Sequence, residues 1–116
     1  MRSIRVETSG ATILLTEAPE KKVRDRRTGE LATDTATGEV LMTVGVVHIE
    51  DGESSLIKVT VPQSGVGEGL TLGGPVALVG LVARPWEQVF NGQPRHGIAY
   101  RAAAVTPAVF PSSLGA

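Results

Sequence analysis

Residues 21–27 read KKVRDRR, placing Lys21, Lys22, Arg24, Arg26 and Arg27 around the single acid Asp25. Ammonium and guanidinium groups at that density attract phosphate oxygens, lysine as a point charge and arginine as a flat fork. A second cationic stretch holds Arg84, Arg95, His96 and Arg101 against Glu87, and carries the only tryptophan, Trp86. An indole stacks on any base, whereas phosphate contacts hold a strand without reading it. Phosphate attraction and ring stacking are therefore the chemistry that these two segments offer. Their cations and Trp86 are the candidate binding residues.

Other chemistries have little to work with. The chain has no cysteine, which excludes disulfides, thiolate metal sites and thiol catalysis. His48 and His96 have no matching ligand set and H-E-x-x-H is absent, so no metal site is expected. The run SGVGEGLTLGG fits neither G-x-G-x-x-G nor G-x-x-x-x-G-K-[ST], and no helix-forming sequence follows it; it reads as a flexible connector. Ser112 and Ser113 have no recognisable His and Asp partners. Neither an enzyme nor a cofactor is expected.

A net charge of −1 argues against bulk electrostatic binding of the histone kind. The acids fall mostly apart from the basic segments, notably at Glu50, Asp51, Glu53 and Glu68. If the two basic segments share a face, a nearly neutral protein acquires a positive groove.

The elements that must position these residues read as almost all β, because apolar residues alternate or run in short stretches bounded by Gly, Pro, Asp and Asn. Expected strands are 4–6, 11–16, 41–49, 56–61, 75–84 and 98–105. In the fourth, Ile57, Val59 and Val61 face one way and Lys58 and Thr60 the other. Residues 76–83 are apolar on both faces, which predicts a central strand or one in an interface. Asp-x-x-Thr-Gly-Glu occurs at Asp25 and again at Asp34. Each copy predicts a hairpin turn in which Asp caps its own backbone and Gly29 or Gly38 takes the left-handed conformation. Together they predict a protruding ribbon with arginines near its tip.

At 116 residues the chain fits one domain, expected over residues 1–107 with a flexible tail at 108–116. MRSIRVETSG lacks the apolar core of a signal peptide and PVALVGLVA is too short to span a bilayer. The expectation is a cytoplasmic protein with no membrane contact.

LTLGGPVALVGLVARPW, residues 70–86, resembles a strand of the bacterial single-stranded-DNA-binding proteins, with Gly73, Gly80, Arg84 and Trp86 matching in order. The resemblance implies an OB fold in which the first glycine starts a strand, the second permits sharp coiling, and the arginine and aromatic lie near the nucleic-acid path. A second resemblance runs from about Lys21 to Pro107. DRRTGE, TGEVLMTVGV, VTVPQSG, GLVARPWE and FNGQPRHGIAYRAAAVTP are similar to a family of small regulatory proteins of actinomycete plasmids and integrative elements. It implies a role in replication or regulation of such an element. The chain departs from the first pattern in two places. The glycine-rich connector cannot form the helix that usually plugs an OB barrel, and PSSLGA lacks the acidic tip that recruits partners.

The expectation is thus a small antiparallel OB-like β-barrel with little or no helix and a protruding hairpin. Its expected partner is single-stranded DNA, and the two-faced strand predicts a homo-oligomer, dimeric or larger. Rings are few: Trp86, Phe90, Tyr100 and Phe110. Trp86 fits a barrel end as well as an exposed platform, while Tyr100 is expected to face inward with Ile98. The competing expectation is a β-rich regulatory module that binds a protein partner and no nucleic acid.

Overall fold

The computed structural model describes residues 3–109. Phe110 and the rest of the expected tail beyond Val109 lie outside the described residues. The strands are β1 (Ile4–Arg5), β2 (Thr12–Lys21), β3 (Val23–Asp25), β4 (Glu30–Leu31), β5 (Leu41–Glu50), β6 (Glu53–Pro62), β7 (Val76–Val79), β8 (Val82–Phe90), β9 (Gln93–Arg101) and β10 (Ala104–Pro107). Apart from one 3-10 turn at Gln63–Gly65, no helix occurs among the described residues.

Six strands form one sheet in the order β1-β8-β9-β6-β5-β2, antiparallel except where β6 and β9 run parallel at Val59–Tyr100 and Thr60–Arg101. β7 and β10 pair separately and bring the curl of the sheet back on itself. On one side the Leu15 N–H donates to Gly74 O at 2.9 Å and the Gly73 N–H donates to Leu15 O at 2.7 Å. On the other, the Ala102 N–H donates to Thr60 O at 3.0 Å. The result is the small all-β OB-like barrel that the sequence predicts.

Alternation fills its interior. Ile13 and Leu15 of β2, Val44 and Val46 of β5, and Val59 and Val61 of β6 are buried, with Val76, Leu78, Leu81 and Val105 closing the cluster. Full burial of each such side chain stabilises by about 1.5–3 kcal/mol. Neither Trp86 nor Tyr100 is among the buried residues, and no polar or charged residue is buried among the described ones. Because residues of one parity face the core, Lys58 and Thr60 are turned to the outer face of the same sheet.

The expected strand 75–84 is two strands. Gly80 sits at φ +65° and turns the chain, so that β7 pairs with β10 and β8 with β9. The turn resets the alternation: Val76 and Leu78 point inward before it and Leu81 after it, leaving Ala77 and Val79 exposed. A corner explains the two-faced apolar pattern, and this strand supplies no reason to invoke a partner subunit. The strand expected at 98–105 likewise bends, between β9 and β10, with the Ala103 N–H donating to Val79 O at 2.8 Å.

β8 also runs through Arg84-Pro85-Trp86 without interruption. Proline removes a ladder donor, and it is tolerated here because β1 reaches only Ala83, leaving β8 with β9 as its one neighbour from Arg84 on. β6 in turn pairs with β9 only at Tyr100 and Arg101. The outer part of β8–β9 is therefore a two-stranded arm, closed by Asn91 at φ +52° and Gly92 at φ +76°.

The connector SGVGEGLTLGG is stitched down where the sequence reading had it flexible. Val66 bridges to Val105, and the Gly67 N–H donates to Val105 O at 2.8 Å. A Cβ on Gly65 would stand 2.1 Å from Ala103 O, so glycine is needed for this backbone approach.

Between β2 and β5 the expected single ribbon is two short hairpins springing from a three-way junction. The Lys22 N–H donates to Leu41 O, the Leu41 N–H to Ala32 O and the Ala32 N–H to Lys22 O, at 2.9, 3.0 and 2.9 Å. The repeated motif makes the same turn twice. The Arg27 and Ala36 N–H groups donate to Asp25 and Asp34 Oδ1 at 2.9 and 2.7 Å, and Gly29 and Gly38 take φ of +74° and +75°. A Cβ added at either glycine meets no atom within 4 Å, so the cost of valine there is set by backbone strain, about 1–3 kcal/mol. Gly38→Val is expected to lower the global melting temperature more than Gly29→Val does, because the second turn is fastened to the barrel by side chains. Thermal unfolding followed by circular dichroism checks the order.

Candidate nucleic-acid interface

A groove of about 670 Å³ opens where β9 parts from β6. Lys21, Lys22 and Arg26 line it from the junction and the first hairpin. Thr43, Lys58 and Thr60 form its part of the outer sheet face, and Trp86, Ile98, Ala99 and Tyr100 line it from β8–β9. Ammonium and guanidinium groups at Lys21, Lys22, Arg26 and Lys58 face a single lining acid, Glu20, so the groove is positive although the chain is nearly neutral.

Trp86 is set by its cross-strand neighbour. It stands opposite Gly97 in the β8–β9 ladder, and a Cβ on Gly97 would lie 2.6 Å from Cζ2 and 3.1 Å from Nε1 of the indole. The ring therefore lies against bare backbone, 39% exposed, in the groove wall. It neither fills the barrel end nor stands free. Tyr100 packs against the core as expected, whereas Ile98, two positions earlier on the same face of β9, lies beyond the core and is 55% exposed. Lys22 Nζ donates to Thr60 Oγ1 at 3.1 Å, which aims one cation along the groove.

Of the expected binding residues, the structure brings Lys21, Lys22, Arg26 and Trp86 together. Arg84 shares the Trp86 face of β8 by alternation, and Arg95 and His96 lie farther out on the arm opposite Gln88 and Glu87. Arg24 pairs with Glu30 at 2.8 Å, both well exposed. Arg101 forms an ion pair with Asp34 and so fastens the second turn to β9. Arg27 does not line the groove. Lys58 was not among the expected residues, though its place opposite the inward valines of β6 was legible. What was missing was the knowledge that this face meets the first hairpin.

Comparison of the chain with family models, with curated proteins and with solved structures finds no match. The functional reading accordingly rests on the groove and on the resemblances in the sequence. Among the described residues no helix is long and apolar enough to cross a membrane.

The Asp34 carboxylate is held below its ordinary value of 3.8, first by the Ala36 N–H and then by Arg101. A carboxylate so depressed contributes stability that is complete above its unfolded value and is lost as pH falls through its folded value. The stability difference between wild type and Asp34→Asn is expected to be constant above about pH 4 and to shrink below it. Urea melts across that range check it.

Proposed function

We propose that the chain binds single-stranded DNA with little sequence preference, acting in replication or regulation of a plasmid or integrative element. The observation that carries the DNA part is the convergence of Lys21, Lys22, Arg26 and Lys58 with a 39% exposed Trp86 in one groove. Cations hold the phosphates and the indole offers a π-face to a base. The plasmid part follows from the sequence resemblance alone.

A single tryptophan makes the test direct, because all indole fluorescence comes from the groove wall. Oligo-dT is expected to quench Trp86 saturably at low salt, and duplex DNA of the same length to do so much more weakly. Absence of salt-dependent quenching by any single strand at low salt would sink the reading. The alternative, a regulatory module that binds protein, is favoured by the apolar side chains that the fold leaves in solvent, Leu56 at 77% and Val89 at 75% exposed.

A further inference from the structure

Across an antiparallel ladder, facing side chains stand beside each other with their Cβ atoms about 4.5–5.5 Å apart. At the Trp86–Gly97 rung one of the two is missing. A Cβ at Gly97 would lie 2.6, 2.8 and 3.1 Å from Cζ2, Cε2 and Nε1 of the indole, so that side of the ring fills the space a side chain would need. The indole leans across β9. Because β9 is the strand that parts from β6, this lean carries the ring to the groove wall, where it is 39% exposed. The neighbouring rungs on the same face, Arg84–Ala99 and Gln88–Arg95, bring no second ring.

Stacking and charge are separated along the groove. Lys22 Nζ is held by Thr60 Oγ1, and Thr60 faces Arg101, four positions along β9 from Gly97. At about 3.3 Å per residue that is about 13 Å. A stacked strand rises about 3.4 Å per nucleotide, so a base on Trp86 and a phosphate at Lys22 belong to different nucleotides. Resting on the reading of the groove as a single-strand site, we infer that Gly97 is its positioning residue: the absent side chain lets the indole lie across β9, and the ring so placed takes one base of the strand. A side chain at this position pushes the ring off β9 and into the space the base needs. Rings opposite glycine in sheets also serve simply to cover backbone, and that role alone carries no preference for a base.

Two fluorescein-labelled probes test this by anisotropy at low salt: a short oligo-dT, and an abasic strand with the same number of phosphates. Wild type is expected to prefer oligo-dT about 10-fold, the size of one stacked base. Gly97→Ala should lose that preference while binding the abasic strand with wild-type affinity and an unchanged salt slope. In a Trp86→Phe background the added methyl should change neither affinity, because phenylalanine has neither Nε1 nor Cζ2. The inference is overturned if Gly97→Ala keeps the preference, or weakens both probes equally. It is also overturned if the methyl acts by the same factor in both backgrounds, or if Gly97→Ala does not fold, which assigns the glycine to the ladder alone. Wild type that binds both probes equally removes the platform and leaves the cationic groove standing. Wild type that binds neither removes the single-strand reading itself, and this inference with it.

Discussion

Gly65→Ala is expected to lower the melting temperature by at least ~10 °C, the largest effect of any single methyl group in this chain. An added Cβ would stand 2.1 Å from Ala103 O, and 3.1 Å from both Ala103 C and Ala104 Cα. Every one of these atoms is backbone, so no rotamer change can relieve the overlap. The connector must lift off β10, breaking the Val66–Val105 bridge and the Gly67 N–H to Val105 O bond. Overpacking of this kind costs roughly 3 kcal/mol or more. Gly97→Ala is the instructive contrast: its Cβ would stand 2.6 Å from Trp86, a side chain that can swing into the groove. That variant should melt near wild type while its indole emission shifts. Differential scanning calorimetry and fluorescence distinguish the two; a Gly65→Ala protein as stable as wild type would show that the connector does not press on β10.

The second large effect concerns charge. Replacing Lys22, Arg26 and Lys58 together by Gln is expected to weaken oligo-dT binding roughly 100-fold at 0.1 M salt, because each phosphate contact on a single strand contributes about 0.7 to the slope of log affinity against log salt. The slope itself should fall by about 2 for the triple variant. Stacking releases few counterions, so Trp86→Phe should weaken binding with the slope nearly unchanged. Arg27→Ala, outside the groove lining, serves as the control and should change both quantities little. Titrations at several salt concentrations read all four proteins, and equal slopes for wild type and the triple variant would remove the groove from the binding path.

The core strands β2, β5 and β6 and the repeated turn were legible in the sequence because their signals are local, whereas the arm formed by β8 beyond Arg84 and by β9 before Ile98 was not expected. Val44, Val46, Val59 and Val61 lie inward on period-two alternation, and the repeated Asp-x-x-Thr-Gly-Glu forms the same turn twice. Asp51-Gly52 and Asn91-Gly92 close two hairpins with positive φ, a signal equally readable from neighbouring residues alone. The candidate site was legible only in part. KKVRDRR and Trp86 marked two of its walls, but the same composition cannot tell Arg26, which lines the groove, from Arg24, which pairs with Glu30.

Residue types and their order thus determined an all-β chain, its turn chemistry and the inward face of β6, since each depends on backbone sterics or alternation over a few positions. Contacts between distant segments were decided by the tertiary structure. The corner at Gly80 splits one apparent strand into two, because only the pairing with β10 and β9 reveals where the chain changes sheets. Lys58 joins Lys22 because β6 meets the junction between β2 and β5, 36 positions away in sequence. Arg101 goes to Asp34 because the second turn folds onto β9. Side chains interact with whatever the curled sheet brings within reach, and a linear pattern holds no record of that distance.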